Sequence, residues 1–263
     1  MIGKCVPAAM WAVALTILLS LCPAAAGSGQ EAPFAPGERL EYAIKWEFVP
    51  AGRAEMQVHH GRLQGRKVYR FVLKAETNSF VSLFYKLREK IESYTDKDLK
   101  RSYLYKERNK GSEEKKILVS FDWEDMVAQY SDFGKKHKPV AITPGTFDPL
   151  ASFYAFRARE LQEGASIEFP VTDGKKHFRG KAAVAAKERI EVNGREFETF
   201  KIKPEVNYFG GVFEESEDPS LTIWITADER KIPVKVDVKV AIGSVVAELE
   251  SITTPLGRDM AAK

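Results

Sequence analysis

The amino-acid sequence predicts a mainly β protein, with long antiparallel meanders curled into a barrel or half-barrel around one central amphipathic helix. Three observations carry that expectation. Apolar and polar residues alternate with period two over most of the chain. Gly-, Asn- and Asp-bearing turns punctuate the alternation at short intervals. One internal stretch abandons it for the broad apolar face of a helix. About a dozen strands of such length cannot lie in one flat sheet, so they must curl.

The chain opens with Lys4, an apolar run from Ala8 to Leu21, and Ala24-Ala25-Ala26. This is the pattern of a secretory signal peptide over residues 1–26, cleaved after Ala26. The apolar run is shorter than the roughly 20 residues a membrane-crossing helix needs. Both cysteines, Cys5 and Cys22, lie in the removed segment, so the remainder is expected to carry no disulfide. Cleavage after Ala26 is read ahead of lipidation at Cys22, because Leu21 stands where a small residue is wanted and Pro23 follows; a lipoprotein is the alternative reading. Residues 27–36 are expected to form a flexible mature N-terminus.

A single β-rich domain is expected over residues 37–250. In its first half, residues 37–130, Leu40, Tyr42, Ile44, Trp46 and Phe48 share one face of a strand. Pro50 to Gly52 is read as the turn into the next, where Ala54, Met56 and Val58 share a face. Val68 to Lys74 follows a "QGR" turn. Tyr85, Leu87 and Ile91 alternate with Lys86, Arg88, Lys90 and Glu92 as a strand with one wet side.

A helical connector is expected over residues 131–163. Asp148 is read as its N-cap, Pro149 fits its first turn, and Gly164 sits beyond its end. Leu150, Phe153, Tyr154 and Leu161 form its apolar face, with Arg157, Arg159, Glu160 and Glu163 largely away from it.

In the second half, residues 164–250, Phe197 to Lys203 follows an "NGR" turn. Leu221, Ile223 and Ile225 precede "ADER", and Ile232 to Val240 alternates again before Gly243 and a last strand. Residues 251–263 are expected to be a flexible tail. The two halves look alike. "GRKVYRFVLKAETNSFVSLF" from Gly65 aligns without gaps on "GREFETFKIKPEVNYFGGVF" from Gly194 with eight identities, where about one is expected by chance. Any two β-meanders share some likeness; this one is read as a duplication. Each copy carries an Asn at a bend, Asn78 or Asn207, and two Phe residues four apart, which suits one helical turn or a wide loop.

The strings "GERLEYAIKWEFVPAGRAEM", "SFVSLFYKLREKIESYTD", "FDPLASFYAFR" and "WITADERKIPVKVDVKVAIGSVVAELES" resemble an exported bacterial family known as domain of unknown function 3108, DUF3108. The resemblance implies a periplasmic, β-rich protein of the Gram-negative cell envelope and supplies no catalytic motif, cofactor or substrate. By architectural analogy alone, such strands wrapped around a helix are similar to periplasmic lipoprotein carriers, whose half-barrels hold acyl chains.

The residues themselves offer little chemistry. The net charge of +3, one unit of it Lys4, comes from interspersed acids and bases, which does not indicate nucleic acid. His59 and His60 point to opposite faces of a strand, and His137 and His177 lie in charged turns, so no metal site is expected. No "GxSxG" elbow and no Gly-rich phosphate loop appears. The acids around Trp123, and Glu214 with Glu215, invite a glycosidase reading but look like a turn and a strand end. Asp148 is read as a helix cap before a catalytic group. No catalytic residue, metal or cofactor is therefore expected.

Apolar burial is the one feature in excess, since a concave sheet, an aromatic helix and two repeated Phe-bearing segments converge on one interior. The leading expectation is a monomeric, non-catalytic periplasmic binding or carrier protein for an acyl chain, lipid or lipoprotein segment in envelope assembly. Phe80, Phe84, Phe153, Tyr154, Phe209 and Phe213 would line its cavity or mouth, unless they fill the core, as side chains of small barrels do. The alternatives are a structural module binding an envelope protein, and a glycan-acting hydrolase.

Overall fold

The computed structural model describes residues 32–207, 216–241 and 243–255, and the backbone of 257–259. The expected signal peptide, Asn207's neighbours Phe209 and Phe213, and Glu214 with Glu215 lie outside the described residues. Residues Ala32–Lys263 form one compact unit.

The first meander comprises β1 (Arg39–Trp46), β2 (Val49–Leu63), β3 (Arg66–Thr77), β4 (Arg88–Asp96), β5 (Ser102–Lys110), β6 (Glu114–Asp122), β7 (Val127–Asp132) and β8 (Lys135–Lys136). After β9 (Val140–Ala141) and α1 (Pro149–Arg157) comes the second: β10 (Ser166–Thr172), β11 (His177–Val192), β12 (Arg195–Pro204), β13 (Ser220–Thr226), β14 (Pro233–Val240) and β15 (Gly243–Thr254). A short β16 (Gly257–Asp259) pairs with β15. All named strand pairs are antiparallel, and β15 against β1 joins the meanders into one sheet running from β10 to β8.

Two long hairpins turn in the same way. β2–β3 turns at Gln64-Gly65 and β11–β12 at Asn193-Gly194, all four residues with positive φ, as a type I′ turn requires. The "QGR" and "NGR" strings select that turn because Gly and Asn adopt left-handed backbone at little cost.

The sheet curls without closing strand to strand. Its end strands β10 and β8 are not paired with each other, and the connector stitches the seam instead. β9 pairs with β7, while Phe147, a few residues on, forms a parallel bridge to Val171 of β10. The turn after β10 also reaches across: a Cβ added at Gly174 would meet Val119 and Tyr130, on β6 and β7, within 3.0 Å.

Several expected boundaries are corrected. The β1–β2 turn falls at Glu47-Phe48, with Glu47 at φ 53°, not at Pro50–Gly52. Residues 50–52 belong to β2, where a register shift opposite Ile44/Lys45 accommodates the extra residue as a bulge. Gly52 is required there: a Cβ would stand 2.1 Å from the Glu76 carbonyl oxygen. Strand β4 begins only at Arg88, because Asn78 starts a loop with a 3-10 turn over Val81–Leu83. The N-terminal segment is not free from residue 32 onward: Phe34 is buried, edge-on to Tyr69, Phe71 and Tyr154. Nor does a tail begin at 251, since β15 continues to Thr254 with Ile252 buried.

The helix departs most from expectation. It ends at Arg157; Leu161 lies beyond it, and Gly164 lies in the turn before β10. It is not amphipathic in the expected sense, because its two long sides both face core. Leu150 and Tyr154 pack with Phe34, Val58 and Phe71. Ala151, Ala155 and Phe156 pack with Phe169, Val184, Ile202 and Ile225. Arg157, expected on a wet side, is 0 % exposed.

Candidate functional site

The inner face of the curled sheet and one side of α1 flank an apolar cavity of about 570 Å³ that is open to solvent on one side. Its floor is built from β10–β13, whose alternation aims Ile167, Phe169, Ile202, Ile223 and Ile225 inward. Phe153 and Phe156 of α1 form its roof, and Ile91, Glu89 and Glu107 of β4 and β5 close the far wall. Pro204, Glu205 and Leu221 line it where β12 ends and β13 begins. Its volume lies within the range of small-molecule sites.

Three sets of contacts hold α1 in that position. At the N-terminus the Asp148 carboxylate accepts from Ala151 N–H at 2.9 Å, which makes it the expected N-cap. Its other oxygen accepts from the hydroxyls of Ser93 on β4 and Ser102 on β5, each at 2.6 Å. Burial pushes the Asp148 carboxyl up, and the hydrogen bonds from Ser102 and Ser93 work against that rise. With every carboxylate oxygen engaged and no exposed surface, Asp148 is a structural anchor.

At the C-terminus, Arg157 makes a two-pronged ion pair with Glu38, at 2.8 and 3.3 Å. It also donates to the carbonyls of Lys231 and Arg230, and its guanidinium lies over the rings of Phe34 and Tyr154. Burial opposes the Arg157 charge, but the Glu38 carboxylate outweighs it and holds the group protonated. The third contact is a stack: Tyr154 lies flat on Phe71, ring centroids 3.8 Å apart.

A small polar cluster borders the cavity. Glu107 accepts from Tyr105 Oη at 3.0 Å and stands 3.5 Å from Lys115 Nζ. Burial raises the Glu89 carboxyl above its ordinary value; the nearby Glu107 charge adds to this and Lys115 counters it. Among the described residues, no three metal-ligating side chains converge. The acids near Trp123 form a turn, with Asp122 accepting from the backbone N–H groups of Glu124 and Asp125.

Of the six aromatics singled out by sequence, Phe153 lines the cavity. Tyr154, its neighbour, does not: the helix turns it to the opposite side, onto Phe71. Phe80 and Phe84 stand exposed on the loop before β4, edge to face at 5.9 Å, and do not line the cavity. Phe209 and Phe213 lie outside the described residues. Sequence reasoning passed over Phe156, Phe169 and the isoleucines of β12 and β13. Their signal was the alternation itself, which marks an inner face but not whether that face is filled. Glu89 and Glu107 carried the same signal, as acids in phase with Ile91 and Tyr105.

Among solved structures, a beta-barrel-like protein of domain of unknown function DUF1849 from Brucella abortus is similar with a TM-score of 0.51 and 11% identity. The match covers 82% of this chain and 96% of that one, and supports a barrel-like fold. The hypothetical protein CT021 from Chlamydia trachomatis aligns over 87% of this chain and 92% of its own at TM-score 0.36 and 8% identity, a likeness too slight to bear on the fold. No curated protein matches. The family described as "Protein of unknown function (DUF3108)" matches residues 41–250.

Proposed function

The chain belongs to the DUF3108 family, and within it we propose a non-catalytic binding or carrier protein for an apolar chain, such as the acyl part of a lipid or lipoprotein. The observation that carries the reading is the cavity between α1 and β10–β13, lined by Phe, Ile and Leu side chains instead of being filled by them. The ligand's chain lies along Ile202, Ile223 and Phe169 under Phe153 and Phe156. Its polar end meets Glu89 and Glu107. The export pattern of residues 1–26 supports a periplasmic setting in envelope assembly. The duplication reading is part of the same proposal, supported by the corresponding type I′ hairpins at 64–65 and 193–194.

Organic extraction of protein purified from its native host, followed by mass spectrometry, tests the binding reading. A reproducible acyl-bearing species is the expected result. An empty extract, together with no uptake of fluorescent fatty acids, alcohols or amines by the delipidated protein, sinks it.

A further inference from the structure

Alternate turns of a meander emerge at the same end of its sheet, so the turns after β1, β3, β5 and β14 form one rim. Hydrogen bonds tie them together. Glu47 N–H donates to the Ser244 carbonyl at 2.7 Å, and Ser244 N–H to Glu47 Oε1 at 2.8 Å. Asn78 donates to the carbonyls of Ala51 and Pro50, at 2.8 and 2.6 Å, and Ser112 N–H donates to the Lys86 carbonyl at 2.7 Å. Asn78 Oδ1 also accepts from Val81 N–H, fixing the 3-10 turn.

This braced rim carries seven of the nine exposed large hydrophobic side chains among the described residues. Phe48 is 92 % exposed, Phe84 79 %, Leu83 78 % and Phe80 61 %, with Trp46, Val49 and Tyr85 beside them. Single exposed apolar residues need no account, but a concentration at one end marks an interaction surface.

The charge beside the rim names the partner. Lys86, Arg88, Arg108 and Lys110 are exposed, and none of them is in an ion pair among the described residues. Arg88, Arg108 and Lys110 line the rim end of a concavity on the outer face of β1–β5, where seven basic side chains meet five acidic ones. Acids share this surface: Glu76, ion-paired with Arg53, stands opposite Arg88 on β3, Glu114 stands opposite Lys110, Glu89 lines the same concavity, and Glu47 in the β1–β2 turn accepts from Ser244 N–H. Aromatic side chains settle at the headgroup level of bilayers, and flanking Lys and Arg are drawn to anionic lipid. A second copy of this chain, docked tip to tip about a two-fold axis, would set these cations against themselves.

We propose that this rim docks on an anionic phospholipid bilayer, with Phe48, Phe80, Leu83 and Phe84 entering the headgroup layer and Lys86, Arg88, Arg108 and Lys110 facing lipid phosphates. The cavity wall at Pro204, Glu205 and Leu221 lies at this same end of the sheet. The docking stands on the rim alone and needs no ligand in the cavity.

Flotation of the purified protein with vesicles tests it, using phosphatidylglycerol–phosphatidylethanolamine against phosphatidylcholine, at low and physiological salt. Partition into the anionic vesicles, weakening with salt and much lower on phosphatidylcholine, is expected. Phe80→Ser, Leu83→Ser and Phe84→Ser together should lower it at least about tenfold, with the melting temperature unchanged. Changing Lys86, Arg88, Arg108 and Lys110 to Gln should lower it by about fivefold per cation and flatten the salt dependence. No flotation, equal flotation on both lipids, or flotation indifferent to the triple Ser variant overturns the proposal. So does a dimer in light scattering that the Ser variant dissolves and that does not float. A cavity-filled Ala182→Trp variant should float as the native protein does, which separates failure of the docking from failure of the cavity reading.

Discussion

Ser102 and Asp148 hold each other twice: Ser102 Oγ donates to the Asp148 carboxylate at 2.6 Å and accepts the Asp148 backbone N–H at 2.9 Å. One hydroxyl thus satisfies two buried groups and locks the start of α1 to β5. Because α1 roofs the cavity, this pair sets the cavity's shape.

Asp148→Ala should therefore destabilise strongly. It strands the Ser93 and Ser102 hydroxyls and the Ala151 N–H, costing about 1–3 kcal/mol for each buried group left without a partner. Asp148→Asn keeps the cap and should cost far less. Urea unfolding of the two variants checks the difference, and equal losses would contradict the anchoring role.

The same carboxyl predicts a pH dependence. Its folded pKa is raised by burial, so the folded state holds this proton more tightly than the unfolded chain. Its contribution is fully present below the ordinary Asp value and is lost as pH rises through the raised one. Stability of the native protein relative to Asp148→Asn should then fall with rising pH across that window. A difference that stays flat, or that rises, refutes the assignment. Glu89 is shifted in the same direction, so Asp148→Asn should keep part of the native slope.

Arg157 and Glu38 form a pair that only works intact. Glu38→Gln leaves a guanidinium buried without its counter-charge and should cost about 3–5 kcal/mol. Exposed pairs such as Arg189 with Glu198 should lose far less on the same treatment, because solvent screens both charges. Chemical denaturation of both variants gives the comparison.

Ala182 on β11 lines the cavity. Ala182→Trp should block uptake of an apolar fluorescent probe while the far-ultraviolet circular dichroism stays native. Retained uptake would move the binding site elsewhere.

Gly52→Ala tests the bulge of β2. Its Cβ would fall on the Glu76 carbonyl, so β2 and β3 must part, and a loss of at least about 2 kcal/mol is expected. A neutral result would mean that the bulge does not hold the two strands this close.

By itself the sequence determined the strands, because side chains on a pleated strand alternate between faces and leave a period of two in the residue order. It determined the type I′ hairpins, through Gly65 and Asn193-Gly194, and the Asp148 cap, through the local order Asp-Pro. Those features depend on neighbours a few positions away. Only the tertiary structure decided which of two adjacent aromatics, Phe153 or Tyr154, faces the cavity. It also decided that Arg157 is buried, since the compensating charge comes from Glu38, 119 positions earlier in the chain. The seam closed by Phe147 and Val171, the joining of β15 to β1, and the gathering of Phe48 with Phe84 on one rim are of the same kind. They arise where distant segments meet, and no local pattern of residues encodes which segments those will be.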